Sequence, residues 1–326
     1  MRIGSDVGRA LCCMAIAALS SVAAAAQSGY PTRPIRVIVP YPPGGITDIT
    51  TRMVSQEISK TFSQNVIVDN RPGANSILGV EIVAKATPDG YTLASVIAAH
   101  AANQTLYPKL PYDSIKSFEP VSLLATAPLI MCVTNALPAK SVKELIDLAK
   151  QKPGQLTFAS SGIGAAAHLT TELLMILTGT KLVHVPYKGT APALQDLIGG
   201  QVTIMMDTSS SMMPHVRAGK IRALGMASEK RAAVAPDVPT FIEQGVPLVS
   251  GTWVGMLAPA KTPGDIVERL SAAMSAAVQR PEVRQRFMEL GIDPVGNSPA
   301  EFRKFLEDEV AKWAKVIKTA NVKVEM

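Results

Sequence analysis

The chain has 326 residues and a formal net charge of +6, and 47% of its residues are hydrophobic. This length is enough for two lobes, each with its own core. The basic residues are scattered and only 5% of residues are aromatic, which does not support binding to nucleic acid. The four histidines form no His-x-x-x-His pair and no cluster with cysteine, and we expect neither a metal nor another cofactor.

Residues 1–26 have the anatomy of an export signal. Arg2 and Arg9 form a positive start, an apolar run follows, and three alanines before Gln27 form a small-residue cleavage site. The apolar run is alanine-rich and shorter than the about 20 apolar residues of a membrane span, which argues against an anchor. We therefore predict cleavage before Gln27 and a periplasmic protein. Cys132 alone remains after cleavage, so the mature chain can form no internal disulfide.

A short apolar strand at 37–39 leads into a turn rich in proline and glycine, and a helix opens directly after this turn. The first backbone N–H groups of such a helix have no intrahelical partners, and the helix dipole adds partial positive charge at this end. Gly44 and Gly45 let a ligand approach the backbone closely. The stretch is therefore predicted to bind an anion.

Strand and helix patterns alternate along the rest of the chain, which predicts an α/β fold with mostly parallel sheets. Further strands are predicted at 66–68, 92–98, 181–185, 202–206, 221–226 and 253–257. Helices are predicted at 49–62, 77–86, 141–150, 191–198 and 212–218, and in three segments after 262. Thr240 and Glu243 form a capping box, which predicts one more helix that ends at Gly245.

The stretch from Ser160 to Ala165 repeats the first arrangement about 115 residues later, between the apolar run 156–159 and a second helix. Each turn presents backbone donors at the start of a helix. Two such turns that face each other could hold one small anion between two lobes.

Two enzyme patterns fail on these residues. Gly162-x-Gly164-x-x-Ala167 has the form of a dinucleotide-binding fingerprint, but the acid expected about 20 residues later is missing, since 181–188 contains no Asp or Glu. A nucleophilic serine would need a Gly-x-Ser-x-Gly elbow, and Ser160 and Ser161 lack the preceding glycine. We therefore do not expect an enzyme.

Short motifs follow one another in a fixed order along almost the whole mature chain. They are Pro40-Tyr41-Pro42-Pro43-Gly44-Gly45, Asn70-Arg71-Pro72-Gly73-Ala74, Pro88-Asp89-Gly90-Tyr91-Thr92-Leu93, Val185-Pro186-Tyr187-Lys188-Gly189 and Pro236-Asp237-Val238-Pro239-Thr240. In this order they resemble the Bug (TctC-type) extracytoplasmic solute-binding family, the receptors of tripartite tricarboxylate transporters. The resemblance implies a periplasmic-binding-protein fold of the second type, with two α/β lobes and a ligand cleft between them. We expect lobe 1 at 27–125 plus 251–326 and lobe 2 at 126–250.

The resemblance also implies a small carboxylate ligand: a dicarboxylate, a tricarboxylate, an acidic amino acid or an aromatic acid. The implied partners are the membrane subunits of such a transporter, and we expect a monomer. The implied ligand-binding residues are Tyr41, Pro43, Gly44, Gly45, Ile46, Thr47 and Asp48 in the first loop, Ser160, Ser161, Gly162, Gly164, Ala165 and His168 in the second, and His100, Tyr187, Asp207 and Thr208 elsewhere. A periplasmic partner of a membrane sensor and an exported enzyme are the alternative functions.

Three of these residues allow two interpretations each. Asp48 selects an ammonium or hydroxyl group on the ligand, or it stabilises the start of its helix. His168 donates to a ligand oxygen, or it holds the loop in shape. Ile46 stands where the family usually has a third glycine. It favours a ligand with an apolar portion next to the carboxylate, unless it packs against Tyr41 or the lobe surface.

Overall fold

The computed structural model describes residues 29–324, so the predicted export signal and its cleavage site lie outside the described residues. The strands are β1 (Ile35–Val39), β2 (Val66–Asn70), β3 (Thr92–Val96), β4 (Phe118–Thr134), β5 (Thr157–Ser160), β6 (Val183–Pro186), β7 (Ile204–Thr208), β8 (Ile221–Met226), β9 (Gly251–Pro259) and β10 (Asp293–Pro294). The helices are α1 (Ile46–Phe62), α2 (Ile77–Ala84), α3 (Ala98–Leu106), α4 (Val142–Gln151), α5 (Ala166–Thr178), α6 (Thr190–Ile198), α7 (Ser209–Arg217), α8 (Gly264–Gln279), α9 (Pro281–Glu289) and α10 (Pro299–Thr319). No helix between residues 29 and 324 is long and apolar enough to cross a membrane.

The strands pair in the order β2-β1-β3-β9-β4-β7-β5-β6, and β8 and β10 pair with β4. β1 lies parallel between β2 and β3, while β5 lies parallel between β6 and β7. Each of these parallel groups belongs to one lobe. The α/β fold with two lobes is confirmed, but the prediction of mostly parallel sheets is wrong, because β4 and β9 run antiparallel to the strands that pair with them.

The 17-residue strand β4 crosses from one lobe to the other. Its residues 118–128 pair with β9, whereas residues from Leu129 onward pair with β7 and those from Ile130 onward with β8. β9 pairs with β3 along its other edge. The change of partner after Pro128 lies close to the predicted lobe boundary at 125/126, but the lobe limits themselves stay a prediction.

Helices cover both faces of the strands in each lobe. In β1, Val37 packs with α1, α8 and α9, whereas Ile38 packs with α2, α3 and α10, because successive strand residues point to opposite faces. In lobe 2, α4 and α5 cover one face and α6 and α7 the other. Cys132 is buried in the second of these cores, and burial raises the pKa of its thiol.

The capping box at Thr240 forms, but the helix predicted after it does not. Glu243 N donates to Thr240 Oγ1 at 3.0 Å, and Thr240 N donates to the Glu243 carboxylate at 2.7 Å. The chain then makes a single turn, because Gly245 takes a φ of +83° and Val246 N donates back to Phe241 O. The prediction of a helix up to Gly245 is wrong.

The strand predicted at 92–98 ends at Val96, and helix α3, which we did not predict, begins at Ala98. Four of the five residues from Ala98 to Ala102 are alanine, the residue with the highest helix propensity. This composition was the available signal. The helix matters because its first turn reaches the cavity described next.

Candidate ligand-binding site

A cavity of about 510 Å³ lies where the two lobes meet. Its walls come from the segments that follow β1, β2, β3, β5, β6 and β7, together with strands β4 and β9 and the turn after α9. Residues lining it include Tyr41, Gly44, Gly45, Ile46, Ile49, Asn75, Ile97, Ala98, Ala99, Leu129, Ser161, Gly162, Ile163, Ala165, Ala166, Ala167, Thr190, Asp207, Thr208, Ser210, Ser211, Thr252, Leu290 and Ile292. Ligands of open α/β sheets bind at such carboxyl ends of parallel strands.

Five helices begin at this cavity, namely α1, α3, α5, α6 and α7, and residues of the first turn of each line it. The first N–H groups of a helix have no intrahelical acceptor, and the caps Gly45 and Ala165 add no side-chain hydrogen bond. Among the described residues, no Lys or Arg lines the cavity. Attraction of an anion to this cavity would therefore rest on backbone N–H groups and helix dipoles.

The lobe 1 loop before α1 is held by Asp48. The carboxylate of Asp48 accepts hydrogen bonds from Gly44 N (3.0 Å), Arg52 Nε (3.0 Å) and Asn70 Nδ2 (2.9 Å). Burial alone would raise the pKa of Asp48, but the hydrogen bonds from Arg52, Gly44 and Asn70 outweigh it and lower this pKa. Asp48 is 4% exposed and does not line the cavity, so its carboxylate faces the loop.

The lobe 2 loop before α5 is held by two stacked histidines. Gly164 N donates to His168 Nδ1 at 3.1 Å, and the His168 and His184 rings stack with centroids 3.8 Å apart. His184 Nε2 lies 2.7 Å from Ser160 Oγ. Since that hydroxyl donates to Gly162 O at 3.0 Å, the imidazole is the donor to Ser160. Burial, and secondly the neighbouring His168, lower the pKa of His184 to about 3, so the ring is neutral.

The two loops share one plan that the sequence analysis recognised only in outline. In both helices the third residue, Asp48 or His168, accepts a hydrogen bond from the N–H of a glycine four residues earlier. Both glycines have positive φ, +87° at Gly44 and +79° at Gly164. The sequences 45–52 (GITDITTR) and 165–172 (AAAHLTTE) align without a gap, and their shared Thr-Thr pair was the missed signal.

Asp207, the penultimate residue of β7, is the one charged side chain among the described residues that line the cavity. Thr208 N donates to its Oδ1 at 2.7 Å, and Thr190 Oγ1 donates to its Oδ2 at 2.8 Å. Burial raises the pKa of Asp207, and these hydrogen bonds act against the rise. Ser210 and Ser211 hydroxyls lie 3.0 and 3.2 Å from Thr208 Oγ1, so a cluster of hydroxyls stands beside the carboxyl group.

The structure brings nine of the predicted site residues to the cavity: Tyr41, Gly44, Gly45, Ile46, Ser161, Gly162, Ala165, Asp207 and Thr208. Another group does not line it: Pro43, Thr47, Asp48, Ser160, Gly164, His168, His100 and Tyr187. His100 is fully buried, with Nε2 2.9 Å from Ser114 O, and burial lowers its pKa to about 4. The Tyr187 hydroxyl donates to Asp196 at 2.6 Å.

Ile46 lines the cavity and also packs against the lobe 1 core. Ile49, Ile97, Leu129, Leu290 and Ile292 add further apolar surface to the lining. The cavity therefore combines polar helix starts with an apolar wall, and the ligand preference set by Ile46 stays a prediction.

Sequence reasoning missed Asn75 and Thr252 among the lining residues. Asn75 lies in three consecutive non-glycine residues with positive φ, Ala74 (+46°), Asn75 (+49°) and Ser76 (+75°). Such backbone is costly, and strain of this kind concentrates at functional sites. Asn75 Nδ2 donates to Asn103 Oδ1 at 2.8 Å, which anchors the turn to α3. The Asn70–Ala74 motif marked the turn but not its conformation.

Comparison with known proteins places this architecture in one family. Residues 50–322 match the family model described as "Tripartite tricarboxylate transporter family receptor". The protein BugT of Bordetella pertussis is 36% identical over 313 residues, which cover 95% of this chain and 96% of BugT.

Solved structures agree with this result. A protein of R. palustris solved with adipate is 36% identical, with a TM-score of 0.80 over 90% of this chain and 99% of that one. MatC from Rhodopseudomonas palustris, solved with bound malate, is 35% identical, with a TM-score of 0.76 over 88% of this chain and 100% of MatC. The chain belongs to the receptor family of the tripartite tricarboxylate transporters, the TctC or Bug solute-binding proteins.

Proposed function

We propose that this protein captures one small carboxylate in the cavity between its lobes and delivers it to the membrane subunits of a tripartite tricarboxylate transporter. One observation carries the proposal: five helix starts, from both lobes, meet at a cavity that no described Lys or Arg lines. Backbone N–H groups at helix starts favour an anion without committing a side-chain charge.

The carboxylate sits between the starts of α1 and α5. The N–H groups of Ile46 and Thr47 face it from lobe 1, and those of Ala166 and Ala167 face it from lobe 2. Neither set alone surrounds the anion, so binding favours an arrangement in which the lobes approach each other around β4 and β9. Closure of the lobes on the ligand is therefore part of the proposal.

The ligand class is a dicarboxylate or a related acid with an apolar portion. Relatives solved with adipate and with malate support a dicarboxylate. The apolar wall formed by Ile46, Leu290 and Ile292 supports a carbon chain beside the carboxylate. We further propose export to the periplasm with cleavage before Gln27. Mass spectrometry of the mature protein, which identifies its first residue, tests this part.

A thermal-shift screen of the purified mature protein against a panel of dicarboxylates, tricarboxylates, acidic amino acids and aromatic acids tests this function. A ligand at 100 times its Kd adds about 2.7 kcal/mol to the free energy of unfolding, which is readily measured. Small-angle scattering with the ligand found should report a more compact molecule. A panel without any stabilising acid contradicts the binding function, and conversion of the ligand by the protein contradicts a pure receptor.

A further inference from the structure

Asp207 presents acceptor capacity to the cavity that no described residue uses. It is 8% exposed, and no cationic group acts on its carboxyl group. A carboxylate can accept about four hydrogen bonds, and three donors act on Asp207, namely Thr208 N, Thr190 Oγ1 and the Thr208 hydroxyl. Because Asp207 lines the cavity, its remaining acceptor positions are open to a ligand.

A second polar group in the same cavity has no partner. Thr252, near the start of β9, lines this cavity and also a neighbouring one beside Trp253. It is 8% exposed, and its Oγ1 has no hydrogen-bond partner among the described residues. A buried hydroxyl left unpaired costs free energy, so such a group points to a polar ligand atom. Thr252 is an observation independent of the helix starts, because it lies on a strand.

We propose that Asp207, with Thr190, Thr208 and Thr252, forms a second subsite that selects a ligand carrying a hydroxyl or ammonium group besides its carboxylate. The proposal rests on the proposed function, which places the carboxylate at the starts of α1 and α5. An O–H or N–H group supplies the donor that the Asp207 carboxylate lacks. An ammonium group adds the opposite charge.

The position of the subsite follows from the sheet. β5 and β7 are parallel neighbours, with Ala159 opposite Met205, so the same register places Ser161, just after β5, beside Asp207 near the end of β7. Adjacent strands lie about 4.8 Å apart. The donor is therefore a substituent on the carbon next to the carboxylate, or one carbon further along the chain.

A second ligand carboxylate fits this position poorly. It would place two like charges side by side in a buried site, which is unfavourable unless one of them takes up a proton. Asp48 does not offer an alternative subsite, because Gly44, Arg52 and Asn70 already use its oxygens and it does not line the cavity. Selection of a ligand that carries a donor group therefore depends on Asp207 in lobe 2.

Calorimetric titration with matched acids tests the subsite. Succinate, glutarate and adipate are each compared with their 2-hydroxy and 2-amino derivatives at pH 7. At each chain length that binds, we expect one of the derivatives to bind about tenfold more tightly than the plain acid. Asp207→Asn should reduce this ratio to about threefold or less, with the larger loss for the amino acid. The control Asp147→Asn, an exposed residue on α4, should leave the ratio unchanged.

The outcomes separate the subsite from the receptor function. If the plain acids bind as tightly as the derivatives, with uptake of one proton per ligand in paired buffers, the subsite proposal is wrong and the receptor function stands. An unchanged ratio in Asp207→Asn also overturns it. The ratio in the wild-type protein needs no variant, so poor folding of Asp207→Asn does not protect the proposal. If no acid binds, the receptor function fails and the subsite fails with it.

Discussion

The loops that reach the cavity from the two lobes have the same backbone plan but carry their acidic residue at different positions of the helix that follows. In lobe 1, the third residue of α1 is an aspartate that pairs with Arg52 four residues later, at 2.9 Å. In lobe 2, the third residue of α5 is His168, whose Nε2 lies 3.4 Å from Glu172, also four residues later. In both, a threonine three residues further donates to the carbonyl of the second helical residue.

The comparison shows which property of the third residue the loop needs. A carboxylate oxygen and a neutral imidazole nitrogen both accept the hydrogen bond from the positive-φ glycine. The loop shape therefore requires an acceptor at this position and not a particular charge. The charge remains free to set how each loop responds to mutation and to pH.

Among the substitutions compared at pH 7, Asp48→Ala should have the largest effect. It removes the acceptor of Gly44 N and breaks the hydrogen bonds of Arg52 and Asn70 to the carboxylate, although Arg52 still donates to Asn70. Loss of charge-assisted hydrogen bonds at a buried site should lower the free energy of unfolding by about 3 kcal/mol. Urea unfolding measures this loss, with the exposed Asp147→Ala as the matched control. A loss as small as that of the control would mean that Asp48 does not hold the loop.

Ile46→Gly tests the role of the side chain at the first helical position, which is isoleucine in α1 (Ile46) and alanine in α5 (Ala166). Burying two or three methylenes of a ligand beside Ile46 supplies about 2 kcal/mol, or about thirtyfold in affinity. The glycine variant should therefore lose affinity for hexanoate or benzoate relative to citrate. The ratio of the two affinities, measured by calorimetry, cancels general effects on stability. Ile46→Ala separates loss of the side chain from the flexibility of glycine, and equal ratios in all three proteins would contradict the prediction.

The sequence was sufficient for the fold class and for both loops, because strand, glycine turn and helix start are local signals. It was not sufficient for partners that only tertiary packing brings together. The stacking of His168 on His184 joins residues on α5 and β6, and Thr252 reaches the cavity because β9 begins where β4 changes partners, with Gly251 opposite Pro128. The conformation of Asn75 was equally hidden, since three successive left-handed residues contradict local preference.

Acid should weaken the lobe 2 loop before the lobe 1 loop. The pKa of His184 is lowered from its ordinary value of 6.5 to about 3, so the unfolded chain binds more protons than the folded one between these values. The free energy of unfolding should then fall as the pH decreases from 6.5 toward 3, by up to about 1.4 kcal/mol per pH unit. The pKa of Asp48 is lowered from 3.8, so its contribution is lost only below pH 3.8.

Urea unfolding from pH 7 to pH 4 in the wild type and in His184→Gln measures this effect. Glutamine keeps a donor for Ser160 Oγ and does not titrate, so the variant should lose stability less steeply. The titration of His100, whose pKa is about 4, changes the free energy of unfolding of both proteins equally and therefore cancels in the difference between them. Parallel curves for the two proteins would show that His184 is not the titrating group.

The smallest effect distinguishes the paired threonines. Thr51 Oγ1 donates to Thr47 O at 2.6 Å and lies 2.6 Å from the buried hydroxyl of Ser95, whereas Thr171 Oγ1 contacts only Ala167 O, at 2.9 Å, among the described residues. Thr51→Val leaves Ser95 without this partner and should cost about 1 kcal/mol, because a buried unpaired hydroxyl loses its hydration. Thr171→Val removes a bond to a carbonyl that its helix already uses, and it should cost about 0.5 kcal/mol or less. Urea unfolding of both variants at pH 7 measures the difference. Equal losses would mean that Ser95 does not couple α1 to β3, and that the two helix starts are alike in energy as well as in geometry.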